Sequence, residues 1–491
     1  MAQSDNRVIE PGRDTPVIGE YEVVVLGGGP AGIAAAAAAA RSGRSTVLIE
    51  RYGFLGGAGT AAGLSTFCGL HANVRGEHRQ VIHGIADELL ERLQRMGGLN
   101  APHLSLGSRI QAQAYDISAY KIAADELLLS SGVKILFHAF GAGMVKRAER
   151  EIDALLIESK SGRAAIRGRL FIDCSGDGDL AAWAGAPYEI GDGAGNMLYP
   201  STMFRINGVD PARAGRAWES IPQLMAEAER RGERSFPRKG AIVRPQKNPI
   251  EWRANLTQIR NPDGSAVSGI DLEQMSYGEV EGRRQCREVF EFIRGVTPGF
   301  ENAYIVEIAP QLGIRETRRI TGDYPLSESD ILGCADFADS IGVNGWPVEA
   351  HVPGSVLLKF PAQGSRGYNQ LPYRMIVPRG VDNLLVAGRC ASMTHDGQSS
   401  SRVSGPCFAM GQAAGTAADL ALAAGVAPRA IDVARLQQRL TAAGAWLGFE
   451  PGHAAPASSE AATPAESRRA IPTPRRRPRP PGAAWRSAAR R

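Results

Sequence analysis

The chain has 491 residues, 56 Lys and Arg against 51 Asp and Glu, a formal net charge of +5 and 43% hydrophobic residues, a length that predicts two or three domains rather than one core. Residues 451–491 hold nine Arg, no Lys and two Glu, a net of +7, so the other 450 residues carry −2 (+5 less +7). A mildly acidic body removes composition as an argument for nucleic-acid binding, and none is expected of it.

The first twenty residues lack a basic start followed by an apolar stretch, so no secretory signal is expected, and residues 1–19 read as a flexible arm. YEVVVLGGGPAGIAAAAAAARSGRSTVLIE (21–50) then gives a buried strand, a glycine turn, an Ala-rich helix ending at Gly43, and a second strand. That is a βαβ crossover, so its strands are parallel. Gly27 to Pro30 interrupt the longest apolar run, Val23 to Ala40, and rule against a membrane span. Ile85, Leu89, Leu90 and Leu93 recur at helical spacing, and ISAYKIAADELLLSSG predicts another helix leading into VKILFHA as a strand. Residues 143–174 read as an antiparallel meander of three strands.

From 186 to 370 the texture changes to more Trp, Arg and Pro, and this stretch reads as an inserted α+β domain for the substrate. NLLVAGR (383–389) and PCFAMGQAAGTAADLALAAG (406–425) return to buried strand and helix. The domains expected are therefore a nucleotide-binding domain in two parts, 20–185 and 371–450, an insert at 186–370, and a disordered Pro/Ala/Arg-rich tail at 451–491. Six cysteines form no CxxC pair, which fits a reducing compartment and a cytoplasmic location, and no metal site is expected; Asp177 and Asp179 read as turn formers.

Gly27, Gly29 and Gly32 satisfy G-x-G-x-x-G between a strand and a helix, with Glu50 closing the next strand. Gly27 serves the tight turn, Gly29 the close approach of a pyrophosphate, and Gly32 the packing of helix on strand. Pro30 and Ala31 open the helix whose N-terminus favours the anion, and Glu50 can accept hydrogen bonds from an adenosine ribose. A second glycine turn, Gly56-Gly57-Ala58-Gly59-Thr60, and the end of the returning strand, Gly388-Arg389, favour FAD over NAD, because the ribityl and flavin ends need further close backbone approach. The helix containing Gly411 and Gly415 supplies a second N-terminus toward the cofactor.

The joint pattern of GGGPAG, LIER with GFLGG-GT, LFIDCSGDGDLAAWAGAPYEIG, STMFRINGVD, GIRETRRITGDYPLSESDIL and VAGRCASMTHDGQSSSRVSGPCFAMGQAAGTAADLA resembles the FAD-dependent oxidoreductase family of glutathione-reductase-like flavoproteins, over roughly residues 20–445. The resemblance implies an α/β fold with a Rossmann-like FAD-binding domain, split in sequence around the inserted domain. It adds Arg51, Gly57, Gly59 and Thr60 to the nucleotide-binding residues. It also implies Val145 as the meander residue whose backbone meets adenine, and Ser175, Gly176 and Asp177 as a second loop on the pyrophosphate. Some members carry Cys-ligated iron–sulfur clusters, for which this chain has no Cys-x-x-Cys run.

Flavin chemistry asks the protein for orientation and a proton acceptor. His395 is the first candidate base and Arg402 the anchor for a carboxylate or an enolate-like oxygen. Arg315, Glu316, Arg318 and Arg319 read as an ion-pair network between domains ahead of a substrate-binding cluster, and Cys390 and Cys407 as packing residues. The function expected first is a dehydrogenase or oxidase that takes a hydride from a small organic substrate, with the electron acceptor unspecified. A monooxygenase ranks second, since such enzymes usually show Gly-Asp where this chain has Gly388-Arg389. An FAD-carrying electron-transfer subunit with a protein partner is the third reading, and assembly into homo-oligomers is left open.

Overall fold

A computed structural model describes residue 10 and residues 12–240 and 242–449; the predicted disordered tail lies outside the described residues. Strand β1 spans Val17–Leu26, helix α1 Pro30–Arg41, β2 Thr46–Ile49, α2 Ile85–Arg95, α3 Ile117–Ser130 and β3 Lys134–Leu136. The meander follows as β4 (Phe140–Ala148), β5 (Glu151–Ser159) and β6 (Gly162–Asp173). The first strand begins before the expected end of the arm, because Val17, Gly19 and Glu20 already pair along β6.

The main sheet runs in the order β3-β2-β1-β6-β5-β4. β3, β2, β1 and β6 are mutually parallel, and β6, β5 and β4 pair antiparallel. The register aligns Leu26 with Ile49 on one side and with Asp173 on the other. The carboxyl ends of these strands therefore lie at one edge of the sheet, where ligands of open parallel sheets bind.

The insert builds its own sheet from β7 (Phe204–Asn207), β8 (Ile242–Pro245), β9 (Trp252–Asn255) and β10 (Tyr304–Ile308), in the order β8-β9-β7-β10. Two amphipathic helices accompany it, α4 (Ala217–Arg230) and α5 (Leu272–Val296). Phe204, Trp252, Phe290 and Phe300 are at the centre of its separate core. The chain crosses into the insert at Tyr188–Glu189 and back at Arg319–Ile320, and these two segments pair with each other. The insert thus ends about fifty residues before the expected boundary at 370. Leu326, Ile341, Val343, Tyr368 and Leu371 belong to the main core, with β11 (Ser340–Asn344) and β13 (Asn369–Pro372) paired to each other and β12 (Val348–Val352) lying between them in sequence. Composition registered the exposed, polar loops of this stretch and could not say which core its apolar residues join.

β14 (Leu384–Val386) returns to the main sheet parallel to β6. After it come α6 (His395–Ser401) and α7 (Ser404–Ala424). α7 lies on α1 so closely that a Cβ on Gly411 would sit 2.1 Å from the Ala31 carbonyl oxygen, and one on Gly415 2.2 Å from that of Ala35. Ala31 to Ala39 bury the facing stripe of α1, so small residues on both helices set their separation. Among the described residues no helix is long and apolar enough to cross a membrane.

Candidate active site

Four loops leave the carboxyl ends of β1, β2, β6 and β14 and line one cavity of about 1400 Å³, part of it open to solvent. Gly27 turns with φ +98°, where a Cβ would meet the Cys174 carbonyl oxygen at 2.4 Å, so only glycine fits there. Gly29 differs: a Cβ on it would find only the Gly57 Cα, at 3.8 Å. It caps α1 in extended conformation without a side-chain cap, which leaves the first amides of the helix for an anion. Glu50 is buried and accepts from the Gly28 amide at 2.7 Å and the Tyr52 amide at 3.0 Å. Burial pushes its carboxyl above the usual range, and those two amides offset part of the shift.

Ser175 and Gly176 face the cavity from the loop after β6. Asp173, fully buried, holds that loop by accepting from the Ser175 hydroxyl at 2.7 Å and the Ala181 amide at 2.9 Å. Gly57 and Gly59 line the cavity beyond the first turn, and Gly388, Arg389, Arg402, Ser404 and Cys407 close it from the second part of the domain. Burial pushes the Cys407 thiol up to about 12, which leaves it an inert packing group.

Glycine-lined turns, two uncapped helix N-termini and a buried acid after β2 fit FAD. The class defined here is a Rossmann-type flavoprotein whose cofactor cradle is shared between the two halves of a split domain. The chain matches the FAD dependent oxidoreductase family over residues 22–440 and belongs to it; it is an FAD-dependent oxidoreductase. Curated protein sequences give no match. Among solved structures it is similar to a geranylgeranyl bacteriochlorophyll reductase-like protein from Thermoplasma acidophilum, with 15% identity, TM-score 0.44 and coverage of 87% of this chain and 84% of that one. It is also similar to p-nitrophenol 4-monooxygenase from Pseudomonas putida (13%, 0.44, 86% and 84%) and to a myxobacterial chondrochloren halogenase (14%, 0.42, 86% and 78%).

Of the residues expected at the cofactor, Gly27, Gly29, Pro30, Ala31, Glu50, Arg51, Gly57, Gly59, Ser175, Gly176, Gly388 and Arg389 line this cavity. The others stand behind it. Gly32 packs on the Gly27 carbonyl, Gly411 and Gly415 on α1, and Thr60 donates to the Leu55 carbonyl at 2.7 Å. Asp177 accepts from Arg389 Nη2 at 2.6 Å and from the Thr317 hydroxyl at 2.8 Å. Val145 is a correction. It lies mid-strand, 45% exposed, while the start of β4, Phe140 and Gly141, lines the cavity. The meander leaves the Glu50 loop at its first residues, where the Ala139 amide donates to the Glu50 carbonyl at 3.1 Å.

His395 is the second correction: it lines neither this cavity nor its neighbour. Its Nδ1 lies 3.0 Å from the buried Glu316 carboxylate, which also accepts from Arg319 and from the Leu198 amide at 2.9 Å. Burial alone would depress this imidazole, but the hydrogen bond and charge of Glu316 raise it above its ordinary value. Arg319 reaches the Met393 carbonyl at 3.0 Å, and Arg318 reaches Asp179 at 2.8 Å. Glu316, Arg318 and Arg319 are thus the interdomain network expected, and Arg315 is not part of it.

Arg315 instead lines a second cavity of about 1060 Å³, part of it open to solvent. Ala62, Leu64, Thr66, Ile314, Arg402 and Val403 are among the residues common to both cavities, so the second opens onto the cofactor site. Its charged and imidazole groups are Arg253, Arg315, Arg402, His103, Glu349 and His351. Glu349 and His351 stand two residues apart on β12, with 3.3 Å between Oε1 and Nε2, and Glu349 accepts from the Trp346 indole at 2.8 Å. Burial and the neighbouring Arg315 push His351 well below 6.5, so it is neutral. Burial would raise Glu349, yet contact with His351, the Arg402 charge and the indole N–H hold it down to about 2. Contact with His351 bears on both groups. With Arg315 and Arg238 both repelling a proton from the imidazole, the carboxylate is the charged member. The i, i+2 spacing in WPVEAHV was the one signal that could have placed these two on a common face.

Proposed function

We propose that the protein is a dehydrogenase or oxidase that takes two electrons from a small organic substrate seated in the second cavity. The observation that carries this reading is the wall shared by the two cavities, with Arg402 in it and a carboxylate–imidazole pair beside it. FAD, when bound, supplies the two-electron acceptor. Arg402 holds the acidic end of the substrate. Glu349 orients the imidazole of His351 through Nε2–H, which leaves Nδ1 as the basic nitrogen. Once the acidic end of the substrate has neutralised the arginine charge that keeps a proton off His351, a substrate C–H bond breaks, its electron pair departs as hydride, and the proton released from the adjacent group passes to Nδ1 of His351. His351 therefore replaces His395 as the proposed base, and His395 belongs to the ion-pair network of Glu316 and Arg319.

The wider glutathione-reductase-like relationship and a reducing, cytoplasmic location belong to the same proposal. The split Rossmann-like domain supports the first, and the free state of all six cysteines supports the second. To test the function, the purified protein is assayed for released flavin and for anaerobic bleaching. Bleaching by organic substrates without NAD(P)H is expected. Bleaching by NAD(P)H alone, with substrate-stimulated oxygen uptake, would assign a monooxygenase instead. Bleaching only with a protein donor would assign an electron-transfer subunit.

A further inference from the structure

The second cavity has an unusual charge balance. Arg253 and Arg315 are more than nine-tenths buried, and Arg402 stands beside them, against the single carboxylate of Glu349. Elsewhere in the site, buried arginines are neutralised: Arg319 by Glu316, and Arg389 by Asp177. The cavity arginines bond mostly to carbonyls. Arg253 donates to the Ser65 carbonyl at 3.1 Å and lies 3.3 Å from His103 Nε2, and Arg315 donates to the Tyr199 carbonyl at 2.8 Å. Arg402 reaches only the Glu349 carbonyl, at 3.5 Å, and its Nε has no partner among the described residues. Arg238, buried just outside the wall, bonds Asn255 at 3.1 Å and the Gly240 carbonyl at 3.0 Å, again no carboxylate. Guanidinium groups withdrawn from water without an anion are costly, and a protein that keeps three of them facing one cavity keeps them for an anionic ligand.

The positive charge has two centres. Arg315 feels the charges of Arg402, Arg238 and Glu349, whereas the charged group acting on Arg253 is Arg244, since burial keeps the neighbouring Cys68 thiol and Tyr115 phenol neutral. Arg253 is held at Ser65 and His103 and Arg402 at Glu349, and Met203, Ala254, Ile110 and Ile314 add apolar lining to the same cavity. We propose that this cavity binds a short-chain dicarboxylate, one carboxylate on Arg315 and Arg402 beside the Glu349–His351 pair, the other on Arg253 beside His103. Three positive charges against one negative leave +2 among the lining residues, which the two carboxylates cancel. This deepens the proposed function by naming its substrate class, and it rests on that reading only for the claim that the bound acid is oxidised.

The test uses binding to the flavin-loaded protein, so that it stands apart from turnover. Aliphatic dicarboxylic acids of four to six carbons, the matching monocarboxylates, the neutral diamides, inorganic phosphate and a phosphate monoester are compared by calorimetry and thermal shift. Dicarboxylates are expected to bind about tenfold or more tighter than monocarboxylates, and diamides not at all. Arg253→Met should melt no lower than the parent without ligand, since it removes a buried unpaired charge, and should abolish the preference for two carboxylates over one. Arg253→Lys, which keeps the charge without the fork, should restore part of it. Preference for a phosphate ester, absence of dicarboxylate binding at millimolar concentration, or an Arg253→Met protein that melts lower with its ligand preference unchanged would overturn the proposal. Dicarboxylate binding without any bleaching would leave this inference standing and defeat the function. Bleaching by a neutral substrate without anion binding would do the reverse.

Discussion

Arg389 donates to Asp177 Oδ1 at 2.6 Å, and the same guanidinium reaches the carbonyls of Gly176 at 2.9 Å and Ile314 at 2.8 Å. One side chain thus fastens the loop after β6 to the loop after β14 and both to the end of the insert. Removing it as Arg389→Ala leaves the buried Asp177 carboxylate without its cation, and such losses cost about 3–5 kcal/mol. The expected result is a chemical denaturation midpoint lowered accordingly, with flavin lost on gel filtration. Arg389→Lys should recover only a fraction, because an ammonium cannot span the three acceptors. An unchanged midpoint for the alanine variant would show that the clamp contributes nothing.

The glycines separate into those that serve the ligand and those that serve the fold. Gly29→Ala places its methyl group in open cofactor space and should leave the melting temperature of the flavin-free protein unchanged while sharply reducing flavin content. Gly411→Ala drives a methyl group onto the Ala31 carbonyl and should cost about 1–3 kcal/mol of stability through forced separation of α1 and α7. Equal effects of the two variants on flavin-free stability would contradict this division.

The His395–Glu316 contact carries a pH signature. The imidazole pKa is raised in the folded state above its unfolded value of 6.5, so the stabilisation is complete below pH 6.5 and disappears as pH rises through the raised value. His395→Ala should therefore lie about 1–3 kcal/mol below the parent at pH 6, with the gap closing toward pH 9. Melting curves across that range measure it; a gap that widens with pH would reverse the sign and exclude the ion pair.

His351→Ala should keep its flavin and slow anaerobic reduction by substrate by about 10²–10⁴-fold, the usual contribution of a positioned general base. His395→Ala, measured alongside, should retain reduction at a comparable rate. Stopped-flow bleaching distinguishes the two, and the opposite ranking would return the role to His395.

The nucleotide half was legible because its signals are local: the apolar strand Val23–Leu26, the turn from Gly27 and the acid Glu50 lie within thirty residues and depend little on distant packing. Val145 was misplaced because a meander's sequence pattern does not determine its register. β4 carries irregularities opposite Glu151, Ile152 and Leu156, and its cavity end is its beginning. The second cavity was not legible at all beyond Arg402. Arg253 and Arg315 sit in the insert, Glu349 and His351 in a strand that the composition had assigned to that insert, and folding alone brings the four together. His395 was chosen for a polar loop near the cofactor, but Glu316, nearly eighty residues earlier in sequence, occupies its ring nitrogen.

The chain enters and leaves the insert through two short segments that pair with each other, Tyr188 with Ile320 and Glu189 with Arg319. An excursion whose ends are neighbours can be exchanged without rethreading the sheet beneath it. Through such an exchange, Arg253 and Arg315 would travel with the excursion, while Arg402, Glu349 and His351 would remain with the flavin half. The second cavity is therefore assembled from two separately exchangeable parts of the chain. Replacing that one contiguous stretch would change Arg253 and Arg315 together and leave Arg402, Glu349 and His351 as they are.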